Sequence, residues 1–239
     1  MKNKFPFDKP LLAIFAHPDD ESFLAGGALA LAAKRTSVKV VIATPGQKGR
    51  SHIDYEISDK NLGDLRRRET EEAMKALGVE DYVILDYEDG ALDRTDEKEI
   101  TERLAAIVKD FNPASVLTFG PDGITGHRDH IAIGRFATKA VKVHGVQVYW
   151  LARPRSQQNL VRSRDWAKTK KYYGEIPPVP YDESELTCID VSDVLEVKKK
   201  AIASHASQGA ERYLAPEAGE LIRYEYFVNV TEKIIETFG

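Results

Sequence analysis

One histidine and three carboxylates fall within five residues at His17-Pro18-Asp19-Asp20-Glu21, directly after the apolar run Leu11-Leu12-Ala13-Ile14-Phe15 and Ala16. Such a cluster is not core, because every member would need a partner to offset its desolvation. Histidine nitrogen and carboxylate oxygen are zinc ligands, and a second, unliganded carboxylate beside them could serve as a base. Two ligands do not complete such a site, so a third must come from elsewhere and leave a position open for water. Gly126-His127-Arg128-Asp129-His130 is the second polar cluster, behind the glycine-rich turn Gly120-Pro121-Asp122-Gly123. Its two histidines, three apart at the start of a helix, share one face. Neither cluster is a Gly-x-Gly-x-x-Gly or a Gly-rich Lys-Ser/Thr loop, which sets dinucleotide and nucleotide phosphate sites aside.

The elements that must position these residues are legible as alternating apolar patterns. Residues 11–15, 38–44, 82–87, 115–119 and 147–151 read as strands, the near-continuous apolar runs being those of a sheet covered on both faces. Helices are expected over 22–34, 64–77 with Gly78 as the stop, around Ile100, Leu104, Ile107 and Val108, and over 191–207. Gly26 and Gly27 inside the first helix point to close backbone packing. Phe227-Val228-Asn229-Val230 with Ile234 and Ile235 would close the core. This order implies right-handed βαβ units: a single α/β domain over 1–239, Rossmann-like, with a mostly parallel sheet flanked by helices. Both polar clusters then lie at carboxyl ends of strands, where ligands gather in such sheets. The long polar connection 45–63 reads as a functional loop. Residues 152–187, with Trp166, Tyr172, Tyr173 and a proline-rich stretch, break the pattern and read as a lid or interface.

Composition narrows the partners. The chain has 239 residues, 42% of them hydrophobic, enough for a proper core, and a net charge of -4 with its basic residues dispersed, which argues against nucleic acid. The one cysteine, Cys188, excludes an internal disulfide and cysteine zinc ligation. No secretory or membrane-spanning stretch is expected, so the reading is cytoplasmic, with a homo-oligomer left open.

Together, Ala16-His17-Pro18-Asp19-Asp20-Glu21 and Gly126-His127-Arg128-Asp129-His130 resemble the PIG-L/LmbE-like family of zinc-dependent N-deacetylases, whose members remove acetyl from N-acetylglucosamine-type substrates. The motifs stand about 110 residues apart in the family's order. Arg66-x-x-Glu69 ahead of Leu77-Gly78, Asp89-Gly90, and Lys198 through Gln208 are similar to family positions around the substrate; Arg128 departs, where members often carry proline or serine. The resemblance implies His17, Asp20 and His130 as ligands of one zinc per chain and Asp19 as general base. It further implies a protonated His127 stabilising the oxyanion with Asp129 orienting its ring, and Arg66 and Asp89 on sugar or aglycone hydroxyls. The implied partner is a small N-acetylated amino sugar whose aglycone is open. Two other readings stand beside it: a phosphoester hydrolase, which would ordinarily need a second metal's ligands, and a metal- or sugar-binding module without turnover, to which Asp19 and His127 would be superfluous.

Overall fold

The apolar runs become strands in the computed structural model, which describes residues 5–142, 145–157, 181–215 and 219–230. Strands β1 (Leu11–Phe15), β2 (Val38–Ile42), β3 (Asp81–Ile84), β4 (Ser115–Phe119) and β5 (Gln147–Ala152) pair in parallel. Strands β6 (Thr187–Asp190) and β7 (Tyr224–Val230) join antiparallel, giving one sheet of order β3-β2-β1-β4-β5-β7-β6. Every residue of β1 and β4 is buried, as their uninterrupted apolar runs require.

Helices cover both faces. Helices α1 (Asp20–Ala33), α2 (Asp59–Leu77) and α6 (Leu195–Ser204) pack together on one side, and α3 (Glu97–Phe111) and α5 (Arg128–Val141) on the other; the one-turn α4 (Gly123–Gly126) precedes α5. Helix α1 is buried almost all round, and its glycines do permit close approach: a Cβ on Gly27 would lie 2.4 Å from Val191. The Glu225 carboxylate accepts from Gly27 N (2.7 Å) and Ala28 N (2.8 Å) within that helix, and Lys198 Nζ pairs with it at 2.6 Å. Lys198 is thereby a buried structural cation.

Three expectations shift. Helix α2 begins at Asp59 rather than residue 64, because the Ser58 side chain accepts from Asn61 N and caps the polar Asp59-Lys60-Asn61 turn. The helix expected over 191–207 is divided into a turn of 3₁₀ at Ser192–Val194, α6, and a second 3₁₀ turn at Ala206–Gln208, with the break at His205. The end of the irregular 152–187 stretch supplies β6, where Cys188 is half-buried. Residues 158–180, including Trp166, Tyr172 and Tyr173, and residues 231–239, including Ile234 and Ile235, lie outside the described residues. Among the described residues no helix is long and apolar enough to cross a membrane.

What matters for function is the middle of the sheet. Strand β1 continues to β2 on one side and β4 to β5 on the other, so the strand order reverses between β1 and β4, and their pairing runs only from Leu11↔Ser115 to Ala13↔Leu117. A topological switch point of this kind opens a crevice beyond the carboxyl ends of the two strands. Both polar clusters emerge there.

Candidate active site

At the β1 exit the chain turns through His17-Pro18 into Asp19, whose φ of 107° and ψ of -33° place a non-glycine residue in the left-handed half of backbone space. A conformation like this costs on the order of 1–3 kcal/mol and persists only where neighbours over-determine it. Here they do. Asp19 N donates to Glu21 Oε2 (2.9 Å), and Asp19 O accepts from Ser22 N (3.0 Å) and Phe23 N (2.9 Å) at the start of α1. The twist lets the two adjacent carboxylates serve different neighbours.

At the β4 exit, Asp122 accepts from Ile124 N (3.1 Å) and shapes the α4 turn. His127 caps α5, its Nδ1 accepting from Asp129 N at 3.2 Å, and therefore carries its proton on Nε2. His130, one turn into α5, sets Nδ1 at 3.1 Å from the carbonyl oxygen of Gly123. A carbonyl can only accept, so Nδ1 is the protonated nitrogen and Nε2 presents a lone pair.

The same logic fixes His17. Its Nε2 lies 3.1 Å from both Asp89 Oδ1 and Asp129 Oδ2, so a proton sits there and Nδ1 is the nitrogen left to meet an ion once it gives up its own proton. His17 Nδ1 and His130 Nε2 then face one another at 3.3 Å, with the Asp20 carboxylate 3.3 Å from His130 Nε2 and 3.7 Å from His17 Nδ1. With the second proton of His17 removed, these atoms are three acceptors facing one another. Such a set suits a cation between its members: two of the separations match the roughly 3.3–3.4 Å that tetrahedral bonds of about 2.0–2.1 Å would give, and the third, to the other Asp20 oxygen, is longer.

Two groups of three that do not include Asp20 bring ligand atoms within 4.8 Å of one another and could hold a metal: His17, His127 and His130, and His17, Asp89 and Asp129. In both, the added members are engaged. His127 Nδ1 holds the Asp129 amide; Asp129 also accepts from Gly90 N (2.7 Å) and Leu92 N (3.1 Å), and Asp89 from Lys48 N (2.9 Å). These carboxylates orient His17 in the way that outer carboxylates orient metal-bound imidazoles. The expected pairing of Asp129 with the His127 ring is thus corrected: the Asp129 carboxylate turns to His17, and only its backbone N–H reaches His127.

Charge follows geometry. Burial disfavours the His17 imidazolium, yet its hydrogen bonds to the Asp129 and Asp89 carboxylates outweigh that and push its pKa up to about 10, so the ring is protonated in a pocket with an excess of negative charge and a bound ion would take the place of its Nδ1 proton. Burial also opposes the charged form of Asp20, but His130 and His17 hold its carboxyl well below the usual range. Asp19 moves the other way: burial, only partly offset by Arg66, raises it to about 6, while its side chain keeps 20% exposure against 9% or less for His17, Asp20 and His130. The group best tuned as a base at neutral pH is also the wettest one. Burial and the neighbouring His130 and His17 push His127 down to about 2, so its ring is neutral and the protonated form expected for it is not the resting one.

Arg66 and Asp89 stand at the site but with protein partners. Arg66, 3% exposed, donates from Nη1 to Gly46 O (2.8 Å) and from Nη2 to Pro18 O and to Asp19 Oδ2 (3.2 Å). Gly46 makes room for it: at φ 69°, a Cβ there would lie 2.2 Å from Nη1. Arg66 is no solvated charge. Asp89 is 8% exposed and is divided between His17 and Lys48 N.

Sequence reasoning overlooked His205, fully buried behind the site, with Nε2 at 2.7 Å from Glu21 Oε1. Glu69, noted only as part of a motif, accepts from Ser207 N (2.7 Å) and Ser207 Oγ (2.6 Å). The stretch Lys198 through Gln208 carried a resemblance, but nothing local singled out one histidine within it.

Comparison with known proteins gives the lineage. The family model described as PIG-L, GlcNAc-PI de-N-acetylase, matches residues 12–141, from β1 to the end of α5. A 1D-myo-inositol 2-acetamido-2-deoxy-alpha-D-glucopyranoside deacetylase 2 of Catenulispora acidiphila is 31% identical, over 93% of this chain and 88% of the relative. The N,N'-diacetylchitobiose deacetylase of Pyrococcus horikoshii superposes with a TM-score of 0.62 at 26% identity, over 92% of this chain and 82% of that one. The same fold, at 20% identity, carries the 4-carboxy-2-hydroxymuconate hydratase GalB of Pseudomonas putida, with a TM-score of 0.66 over 93% and 96% of the chains. Fold likeness therefore does not choose the reaction, but the match of the family model over more than half of the chain, together with the 31% identical relative, decides the lineage: the chain belongs to the PIG-L, GlcNAc-PI de-N-acetylase family.

Proposed function

We propose that the protein is a zinc-dependent N-deacetylase of N-acetylglucosamine-type sugars, with one ion held by His17 Nδ1, His130 Nε2 and the Asp20 carboxylate. The observation that supports this reading is the convergence of His17 Nδ1, His130 Nε2 and the two oxygens of the Asp20 carboxylate, at separations of 3.3, 3.3 and 3.7 Å, beside an Asp19 whose carboxyl burial raises to about 6. Zinc in such a set supplies Lewis acidity to the amide carbonyl and lowers the pKa of water towards about 7.

The chain's own residues carry the proton. Asp19, held by Arg66, takes it from the attacking water as the tetrahedral centre forms. His127, neutral and protonated on Nε2, donates a hydrogen bond to the developing oxyanion. Asp19, having taken that proton, is placed to return it to nitrogen as the C–N bond breaks, leaving acetate and a free amine. Asp129 and Asp89 keep His17 in the tautomer whose lone pair faces inward.

The decisive experiment is release of acetate from N-acetylglucosaminyl-inositol, N-acetylglucosaminyl-malate and N,N'-diacetylchitobiose, with metal quantified in the same preparation. Turnover of at least one with about one zinc per chain is expected. Two metals per chain with phosphoesterase activity, or hydration of an unsaturated acid without deacetylation, would overturn the reading.

A further inference from the structure

We infer that Glu21 and His205 are positioning residues for Asp19, holding the backbone of the base in its twisted conformation from the far end of the chain. The inference rests on the proposed role of Asp19.

The Glu21 carboxylate, fully buried, receives three donors: Asp19 N (2.9 Å) on Oε2, and Ser22 Oγ (2.7 Å) and His205 Nε2 (2.7 Å) on Oε1. A carboxylate held by three hydrogen bonds is directional, and its backbone contact is to the residue at φ 107°. His205 is itself set by the break between α6 and the following 3₁₀ turn. That break is anchored on α2: Ser207 donates N and Oγ to Glu69, and its carbonyl accepts from His52 N (2.8 Å). Glu69 lies one turn along α2 from Arg66, whose guanidinium grips the Asp19 carboxylate. The base is therefore gripped at its amide through Glu21 and at its side chain through Arg66, and both grips lead back to α2.

Neither Glu21 nor His205 faces a reacting atom in this scheme, and neither belongs to the acceptor triangle. What they fix is where Asp19 points. A misplacement of about 1 Å in a reacting group can cost around a hundredfold in rate.

The test uses the full-length, metal-loaded protein and the N-acetylglucosaminide it turns over fastest. Glu21→Gln, nearly isosteric, gives Asp19 N an acceptor but sets an amide N–H₂ against the remaining donors; His205→Ala removes one donor. Both are expected to lower kcat about 10- to 100-fold, with KM within about twofold and zinc per chain unchanged. His205→Gln, whose amide N–H can replace Nε2–H, is expected to recover most of kcat relative to His205→Ala. Lys198→Met serves as the control for simple loss of stability: it should lower Tm and leave kcat alone. If Glu21→Gln and His205→Ala are folded and zinc-loaded but keep kcat within about twofold, or if they lose zinc in parallel with activity, the inference is overturned. Should His205→Ala not fold, Glu21→Gln alone decides. Asp19→Asn run alongside separates the two layers: its retaining full activity would overturn the base itself, whereas its inactivity beside an active Glu21→Gln overturns only the positioning role.

Discussion

The Asp129 carboxylate lies 3.1 Å from Nε2 of His17 while also accepting the backbone N–H groups of Gly90 and Leu92, so a residue on α5 dictates which nitrogen of a β1-exit histidine is free. Asp129→Asn can present an N–H₂ where the His17 proton now points, favouring the wrong tautomer. Zinc affinity measured by chelator competition should fall about 10- to 100-fold, with the fold intact by circular dichroism. Unchanged affinity would mean that Asp129 serves only the loop at Gly90.

The two adjacent aspartates should separate cleanly. Asp19→Asn keeps size and one acceptor oxygen but cannot take a proton near neutral pH. It should retain zinc and lose about 10²- to 10⁴-fold in kcat. Asp20→Asn should lose zinc itself. Metal analysis and kinetics on the same samples check both, and the opposite pattern would exchange their roles.

Asp19 acts in its ionised form, so kcat/KM should rise with pH along an acid limb and level off above it. Burial raises this carboxyl to about 6 in the protein alone, and a neighbouring divalent cation favours the carboxylate, which puts the midpoint at or below about 6 in the loaded enzyme. Arg66 favours the same ionised form, so Arg66→Gln should move the limb to higher pH. A limb that stays put in Arg66→Gln would assign it to another group.

Lys198 and Glu225, each with 1% side-chain exposure, are predicted to bear on stability alone. Removing one partner of a buried pair leaves an uncompensated charge and typically costs about 3–5 kcal/mol. Lys198→Met should lower the midpoint of chemical denaturation accordingly, without changing zinc content.

Much of this was legible before any coordinates. His17, Asp19, Asp20, His127 and His130 stand out because each cluster follows an apolar run that cannot absorb it, and the strand and helix alternation put both at one sheet edge. The misreadings share a cause. Ser58 begins α2 through a single side-chain contact, and Thr187-Cys188-Ile189-Asp190 is a four-residue edge strand too short to show a period. His205 is invisible because its partner, Glu21, is 184 residues away. The Asp129 partner was misassigned for a similar reason: proximity in sequence suggested His127, whereas the tautomer of His17 is decided by a contact across 112 residues.

The proposed ion site would also be a long-range cross-link. His17 and His130 are 113 residues apart, and an ion gripping both closes a loop of that size. In the chain-entropy treatment of covalent closures, fixing a loop of about 100 residues withdraws on the order of 4–5 kcal/mol from the unfolded ensemble. Ion capture and assembly of the β1–β4 pair would then be one linked equilibrium. A nascent chain that has exposed only His17 and Asp20 would offer two of the three proposed ligands, and the full grip would come into being only after α5 has been made and laid against the sheet.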